Sequence, residues 1–383
     1  MKKYKIIIFS SGRSDFDLIK PLIKKIRSIK LLKAQLLVSG SHFSNFHGKT
    51  YKKILEEKII INKKINLNIK VINSNNFGLY TAKAIKLYYK YLVKNNFNLA
   101  VVLGDRFETY AFALACYLKK IFIAHIHGGE VTAGSLDDGF RHSITKFSHL
   151  HFVSNEVYKN RVIQLGENPK TVYNVGSLGV ENIKNTKFLK KIELENDLNF
   201  KFFIKNLVVT VHPVTSGNLE ENNLINELIK VIHYFNDILF IFNSPNIDPG
   251  SNIIYEKIKK LIQKKEVNNC LFFKSLGQQK YFSLIKNSDG LIGNSSSGII
   301  EVPYLQKPTI NIGSRQDGRF QLNSIINCKA DYNSIIRSVK FLYKMKLVTY
   351  KVTRFEASSK ITSVIKNFSK NADKNFSKFF FDL

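Results

Sequence analysis

The sequence is poor in acidic residues, cysteine and long apolar runs. Its 383 residues include only 29 Asp and Glu against 59 Lys and Arg, so the formal net charge is +30. Tryptophan is absent, and the three cysteines, Cys116, Cys270 and Cys328, stand far apart. This spacing excludes a disulfide framework and a CxxC metal knuckle, which favours a reducing, cytoplasmic setting. No run approaches the ~18 apolar residues of a membrane span, and Ile6–Phe9 is too short for a signal peptide.

The excess of positive charge permits two interpretations. A basic protein that binds nucleic acid or a membrane surface is expected to gather its cations on one face. Here the cations are mostly lysines scattered over both halves of the chain, which is typical of a compositional bias. The sequence therefore predicts neither a nucleic-acid partner nor a membrane partner.

Short apolar runs alternate with amphipathic segments along the whole chain. In the first half the predicted strands are Ile6–Phe9, Leu36–Val38, Leu99–Leu103, Ile121–Ile126 and Val172–Val175. In the second half they are Leu207–Val211, Ile238–Phe242, Leu271–Phe273, Gly290–Ile292 and Thr309–Ile312. This alternation predicts an α/β protein with two Rossmann-like, doubly wound domains facing a cleft.

The pattern pauses once, in a Lys-rich stretch at residues 183–204 that carries no clear strand. We therefore expect an N-terminal domain over 1–185, a linker, and a C-terminal nucleotide-binding domain over 205–360. Phe residues interleaved with Lys in 361–383 predict a last helix that packs back on the N-terminal domain.

Two loops of the first domain follow predicted strands, where such sheets carry their functional residues. In Ser10–Asp15, Gly12 is expected to permit a tight turn, and Arg13 begins a helix whose amide groups attract anions. The loop is neither GxGxxG nor GxxxxGK[ST], which disfavours a nicotinamide cofactor and a Walker-type NTPase. Asp105 ends the strand Leu99–Leu103, where it serves either a site or the N-cap of the next helix.

The densest polar segment lies at residues 125–142. His125 and His127 near Glu130 would suit a metal only if the strand continued through both histidines, and we predict none. Glycines beside Glu130 allow the backbone to approach a ligand. Arg141 follows Asp138 by three residues, so a local ion pair is the alternative to a functional role.

The second domain repeats this arrangement at its own strand ends. His212 precedes Pro213, which stops the strand and holds the imidazole at the rim. The segment Gly293–Gly298 offers amide and hydroxyl donors to a phosphate, and Glu301 follows it. Arg315 comes after the strand Thr309–Ile312. Phosphate donors in both halves, with carboxylates mainly in the first, indicate a nucleotide-sugar site.

These motifs resemble, across nearly the whole chain, the hydrolysing UDP-N-acetylglucosamine 2-epimerases of sialic-acid biosynthesis. The matching stretches are SSGRSDFDLIKPLI, VVLGDRFE, HIHGGEVTAGSLDDGFRHSITKFSHLHF, VGSLG, HPVT, SPNIDPGS and IGNSSSGIIEVPYLQKPTINIGSRQDGR. The resemblance implies a GT-B-like fold, a homodimer or homotetramer, and no cofactor. It also implies the conversion of UDP-N-acetylglucosamine and water to N-acetylmannosamine and UDP.

The resemblance also implies roles for individual residues. The nucleotide-binding positions are Arg13, His212, Asn246, Ser295, Ser296, Glu301 and Arg315. The positions around the sugar and the reaction centre are Asp105, Glu130, Asp138, Arg141 and His212. His127 departs from one branch of the family, which carries an acidic residue there, and this leaves Glu130 as the carboxylate of its loop.

The motifs leave the substrate and the reaction class open in two respects. The same chemistry on UDP- or GDP-N,N'-diacetylbacillosamine, which feeds legionaminic-type sugars, is an alternative, because the motifs bind nucleotide and acetamido groups in both cases. A GT-B glycosyltransferase is a second alternative, although it would require an acceptor. A non-hydrolysing epimerase fits less well, since HGGE and DDGFRH resemble the hydrolysing branch.

Overall fold

The computed structural model describes residues 3–44, 48–69, 76–132, 135–213, 223–243, 251–264, 266–273, 276–346, 356–370 and 375–383. The chain divides into two compact units. Unit 1 consists of Met1–Glu130, Leu136–Asn182 and Arg354–Leu383, and unit 2 consists of Val131–Ser135 and Ile183–Thr353.

Unit 1 is built on a parallel sheet. Its strands in the described residues are β1 (Tyr4–Ser10), β2 (Leu32–Val38), β3 (Lys63–Lys64), β4 (Leu99–Leu103), β5 (Phe122–Ile126), β6 (Leu150–Val153) and β7 (Val172–Asn174). They are ordered β3-β2-β1-β4-β5-β6-β7, so the strand order reverses between β1 and β4. The helices in the first 185 residues are α1 (Arg13–Ser28), α2 (Tyr51–Glu56), α3 (Phe77–Val93), α4 (Phe107–Leu118), α5 (Leu136–Phe147), α6 (Glu156–Gln164) and α7 (Leu178–Asn185).

Both faces of this sheet are buried, which explains its continuous apolar strands. Ile6 and Ile8 of β1 join one apolar cluster, whereas Ile7 and Phe9 join another. Alternate side chains of a strand point to opposite faces, so one short run of β1 supplies both cores.

Unit 2 repeats the same order. Its strands in the described residues are β8 (Lys205–Thr210), β9 (Ile238–Asn243), β10 (Cys270–Phe273), β11 (Gly290–Gly293), β12 (Thr309–Ile312) and β13 (Ile325–Cys328), arranged β10-β9-β8-β11-β12-β13. The helices are α8 (Lys191–Leu198), α9 (Leu224–Tyr234), α10 (Ser251–Gln263), α11 (Gly277–Asn287), α12 (Ser296–Ile300) and α13 (Tyr332–Leu342). All strand pairs are parallel, and the reversal lies between β8 and β11.

The predicted α/β class with two doubly wound sheets is confirmed. Residues 183–204, which the sequence suggests as a linker, contain α8, and Phe200 and Phe202 pack in an apolar cluster of unit 2. The last helix, α14 (Ala357–Lys370), belongs to unit 1, where Ile361 and Ile365 share a cluster with residues of α1. Across the described ranges, no helix has both the length and the apolar character needed to cross a membrane.

Candidate functional site

A buried arginine joins two predicted carboxylates in unit 1. Arg141 lies on α5 and its side chain is 3% exposed. One of its terminal nitrogens donates to Asp105, which follows β4, and the other donates to Oε2 of Glu130 at 3.4 Å. Because β4 and β5 are neighbours in a parallel sheet, the loops after them meet at one edge. The structure thus brings Asp105, Glu130 and Arg141 together.

The structural alternatives proposed for Asp105 and Asp138 have different outcomes. Arg106, and not Asp105, is the N-cap residue of α4, and the Asp105 carboxylate is engaged by Arg141. Asp138, in the first turn of α5, pairs with Nε2 of His142 at 3.5 Å, four residues along the same helix.

The two histidines of the HIHGGE motif have different environments. Both ring nitrogens of His125 have partners, since Nε2 donates to the Gly104 carbonyl at 2.9 Å and Nδ1 lies 3.2 Å from the Thr145 hydroxyl. Burial lowers the pKa of His125 to about 3, so this ring is neutral. Nδ1 of His127 lies 2.9 Å from Oε1 of Glu130. His127 and Arg141 therefore engage Glu130 on its two different oxygens.

Glycine is required in this loop by close packing. Gly129 has a φ of +76°, and a Cβ there would overlap the carbonyl of Tyr158. Its own carbonyl accepts a 2.7 Å hydrogen bond from Arg161. The loop that leads to Glu130 is therefore fixed against α6.

The loop after β1 is organised by a residue outside the predicted site, Asp15. Its carboxylate accepts hydrogen bonds from the amides of Ser11 and Gly12 at 2.7 and 2.9 Å. The expected tight turn at Gly12 is wrong, because its φ of −162° is ordinary extended backbone. Glycine is needed there because a Cβ would lie 2.6 Å from Oγ of Ser41. Arg13 begins α1, with its Nε 3.9 Å from the Asp17 carboxylate.

In unit 2, Asn294 forms hydrogen bonds with residues that follow neighbouring strands. Its side chain accepts from the His212 amide at 2.7 Å and donates to the His212 carbonyl at 2.8 Å. Its own carbonyl accepts from Arg315 at 3.1 Å and from Gln316 at 2.8 Å. Three segments that the sequence predicts separately thus meet at one asparagine. Asn294 stands within the predicted GNSSSG segment, but no signal in the sequence distinguishes it from its neighbours.

The remaining predicted nucleotide-binding residues flank this asparagine. Ser295 is the N-cap of α12 and its hydroxyl accepts from the Ser297 amide at 3.3 Å, so its capping role is real. Ser296 is the first residue of α12, and Glu301 follows the helix. Asn246 lies outside the described residues.

We expect Gly293→Ala to destabilise unit 2. Gly293 has a φ of +144°, which only glycine adopts readily, and a Cβ there would overlap the Thr210 carbonyl. The free energy of unfolding should fall by at least about 2 kcal/mol. Denaturant unfolding measures it. Gly277→Ala is the matched control, because Gly277 also has a positive φ, +72°, but in the described part of the chain no atom beyond its own helix and chain neighbours lies within 4 Å of its Cβ position. Equal losses in both variants would contradict the overlap.

Comparison with known proteins decides the family. The family model for UDP-N-acetylglucosamine 2-epimerase matches residues 24–366. The chain belongs to the UDP-N-acetylglucosamine 2-epimerase family. This is a family of nucleotide-sugar 2-epimerases, so the chain is an enzyme of that class.

Similar members of this epimerase family carry two kinds of name. The polysialic acid biosynthesis protein P7 of Escherichia coli is 35% identical over 98% of this chain and 97% of its own. A hydrolysing GDP/UDP-N,N'-diacetylbacillosamine 2-epimerase of Campylobacter jejuni is 39% identical over 85% of each chain. One of these names refers to polysialic acid biosynthesis, and the other refers to a diacetylbacillosamine nucleotide.

Solved structures of the epimerase family share the fold. The UDP-N-acetylglucosamine 2-epimerase of Neisseria meningitidis, bound to UDP-N-acetylglucosamine, has a TM-score of 0.78 at 17% identity, covering 95% of this chain and 100% of its own. The Methanocaldococcus jannaschii enzyme in complex with UDP-N-acetylglucosamine and UDP has a TM-score of 0.77 at 19% identity, covering 96% and 100%. At these identities the likeness concerns the GT-B-like fold alone.

Proposed function

We propose that this protein is a hydrolysing 2-epimerase that converts UDP-N-acetylglucosamine and water to N-acetylmannosamine and UDP. The observation that carries the proposal is the cluster in which Arg141 holds Asp105 and Glu130. The similarity to the E. coli polysialic acid protein, which extends over 98% of this chain, supports the choice of substrate.

The reaction requires carboxylates of this kind. The hydrogen on carbon 2 of the sugar is not acidic, because no carbonyl is attached there. Departure of UDP builds positive charge at carbon 1, and a nearby carboxylate stabilises it. Loss of the carbon 2 proton then gives a glycal, to which water adds at carbon 1 while a proton returns to carbon 2 from the opposite face. Proton transfers on two faces require at least two acid–base groups, and Asp105, Glu130 and Asp138 are the candidates.

Unit 2 supplies most of the proposed nucleotide-binding set. Arg315 and Arg13 are arginines in a chain that otherwise prefers lysine, and a guanidinium recognises phosphate through two parallel hydrogen bonds. His212 is proposed to lie near the diphosphate, and Glu301 to bind the ribose hydroxyls. The remaining members of the set are Ser295, Ser296 and Asn246. The scheme uses no cofactor and no metal.

The same chemistry on UDP- or GDP-N,N'-diacetylbacillosamine is the second candidate, because the C. jejuni relative with that name is 39% identical. The deciding experiment incubates the purified protein with each nucleotide sugar, without any acceptor, and follows nucleotide release and the configuration at carbon 2 by NMR. We expect free N-acetylmannosamine from UDP-N-acetylglucosamine. Release from the bacillosamine nucleotide alone would select the second candidate. A requirement for an acceptor would indicate a glycosyltransferase, and product that retains UDP a non-hydrolysing epimerase.

We expect Asp105→Asn and Glu130→Gln to lower kcat by about 100-fold or more, because each removes a group that exchanges protons or stabilises the charged intermediate. Steady-state UDP release measures kcat, and titration calorimetry with UDP checks that nucleotide binding is intact. Glu266→Gln, at an exposed carboxylate, is the matched control and should keep wild-type activity. Full activity in both site variants would contradict the assignment.

A further inference from the structure

His127 combines two unusual features beside the proposed reaction centre. It is a non-glycine residue with a φ of +67°, in the left-handed region that such residues rarely adopt. Its side chain is only 10% exposed, yet no group in the described part of the chain forms a hydrogen bond with its Nε2. Strained backbone and unsatisfied buried nitrogens are both concentrated at functional sites.

The carboxylate beside the other ring nitrogen determines what Nε2 is able to do. Oε1 of Glu130 lies 2.9 Å from Nδ1 of His127 and would repel a lone pair on that nitrogen, so the carboxylate favours the tautomer with the proton on Nδ1. In the neutral imidazole the proton then resides on Nδ1, and Nε2 carries a lone pair. After Nε2 takes up a proton, the adjacent Glu130 carboxylate stabilises the imidazolium that results. Carboxylate-oriented histidines act as bases in this way in other enzymes.

From this geometry we propose that Nε2 of His127 is the base of the elimination step, with Glu130 as the residue that orients it. The inference rests on the proposed function. Nε2 takes the proton from carbon 2, and the electrons of the C–H bond become the second bond between carbons 1 and 2. The bond from carbon 1 to the β-phosphate oxygen breaks, and its electrons leave on UDP. The proton added to carbon 2 during hydration arrives on the opposite face, so a different group supplies it.

Two amide substitutions separate a base from a residue that only positions Glu130. His127→Asn places an amide near the position of Nδ1 and removes Nε2, and asparagine tolerates the left-handed backbone. His127→Gln reaches the position of Nε2 with an amide that is not a base. Single-turnover UDP release is measured from whichever nucleotide sugar the wild-type protein cleaves. We expect both variants to release UDP at least about 100-fold more slowly, with UDP binding unchanged.

Each contrary result has a distinct meaning. A wild-type rate in His127→Asn would overturn the proposal and leave His127 as a positioning residue for Glu130. UDP released at the wild-type rate with an accumulating glycal would also overturn it, because the defect would then lie in hydration. His233→Asn, at an exposed histidine of α9, is the matched control and should keep wild-type activity. A wild-type protein that cleaves neither nucleotide sugar would contradict the proposed function instead.

A measurement on the wild-type protein covers the case in which the variants do not fold. Ring nitrogen shifts of 15N-histidine-labelled protein report which nitrogen of His127 carries the proton. We expect the Nδ1–H form. The Nε2–H form would overturn the proposal, because that nitrogen would have no lone pair with which to accept a proton.

Discussion

Replacing Arg141 by Met should nearly abolish activity and also destabilise unit 1. The side chain of Arg141 is 3% exposed and donates to both Asp105 and Glu130. The Arg141→Met substitution leaves two carboxylates without their shared cation. Removing one partner of a buried ion pair lowers the free energy of unfolding by about 3–5 kcal/mol. The carboxylates also lose the contact that positions them, and a displacement of 1 Å is enough for a loss of about 100-fold in rate. UDP release and denaturant unfolding measure the two effects.

The charge and the geometry of Arg141 can be separated with a second variant. Arg141→Lys keeps the positive charge. The single ammonium group of lysine, however, does not reproduce the contact of a guanidinium, whose two terminal nitrogens donate to separate carboxylates. We expect it to recover much of the stability and little of the activity. Arg337→Met is the matched surface control, because Arg337 is exposed, and it should change stability by less than about 0.5 kcal/mol. Wild-type activity in Arg141→Met would show that the cluster has no part in the chemistry.

Most strands were predictable because a parallel sheet buries both faces, so a strand such as β4 is a continuous apolar run. The strands that the sequence did not predict lack that pattern for separate reasons. β3 is formed by two exposed lysines at the edge of the sheet. In β6, His151 interrupts the apolar run, and it is fully buried with Glu167 accepting from its Nε2 at 2.9 Å. β13 is a short edge strand with no fully buried residue.

The positions of the site residues were predictable from the sequence, but the contacts between these residues were not. Strand ends in doubly wound sheets mark where polar side chains gather, and Asp105 and Glu130 both follow such ends. Whether Asp105 caps a helix or serves a site depends on Arg141, which is 36 residues away in sequence. Gly12 illustrates the same limit, because the atom that excludes a side chain there belongs to Ser41. Contacts between distant residues carry no local sequence signal.

Glu167 is a charged residue that the sequence did not single out, yet it is central to unit 1. Its side chain is 1% exposed and pairs with Lys146 at 2.7 Å, Lys378 at 2.6 Å and His151 at 2.9 Å. Lys378 comes from the C-terminal segment, whose Phe376 also packs against the ring of His149. One buried carboxylate therefore connects α5, β6 and the last residues of the chain.

Glu167→Gln should lower the stability of unit 1 at neutral pH and have no effect in strong acid. Burial alone raises the pKa of Glu167. The hydrogen bond and charge of His151, the charge of Lys378 and the hydrogen bond of Lys146 outweigh burial and lower the pKa from 4.5 to about 2. A shift of that size corresponds to roughly 3 kcal/mol. Because the folded-state pKa is the lower one, the unfolded chain binds the extra proton, and this stability is lost as the pH falls.

The difference in free energy of unfolding between the wild-type protein and Glu167→Gln should therefore be complete above about pH 5 and should vanish near pH 2. Denaturant unfolding at a series of pH values measures it. Asp237→Asn is the matched control, since Asp237 also pairs with a lysine, Lys205 at 2.7 Å, but is 54% exposed. An exposed pair contributes at most about 1 kcal/mol, so this variant should change little at any pH. A Glu167→Gln effect that persisted at pH 2 would mean that the carboxylate stabilises the fold by its packing and not by its charge.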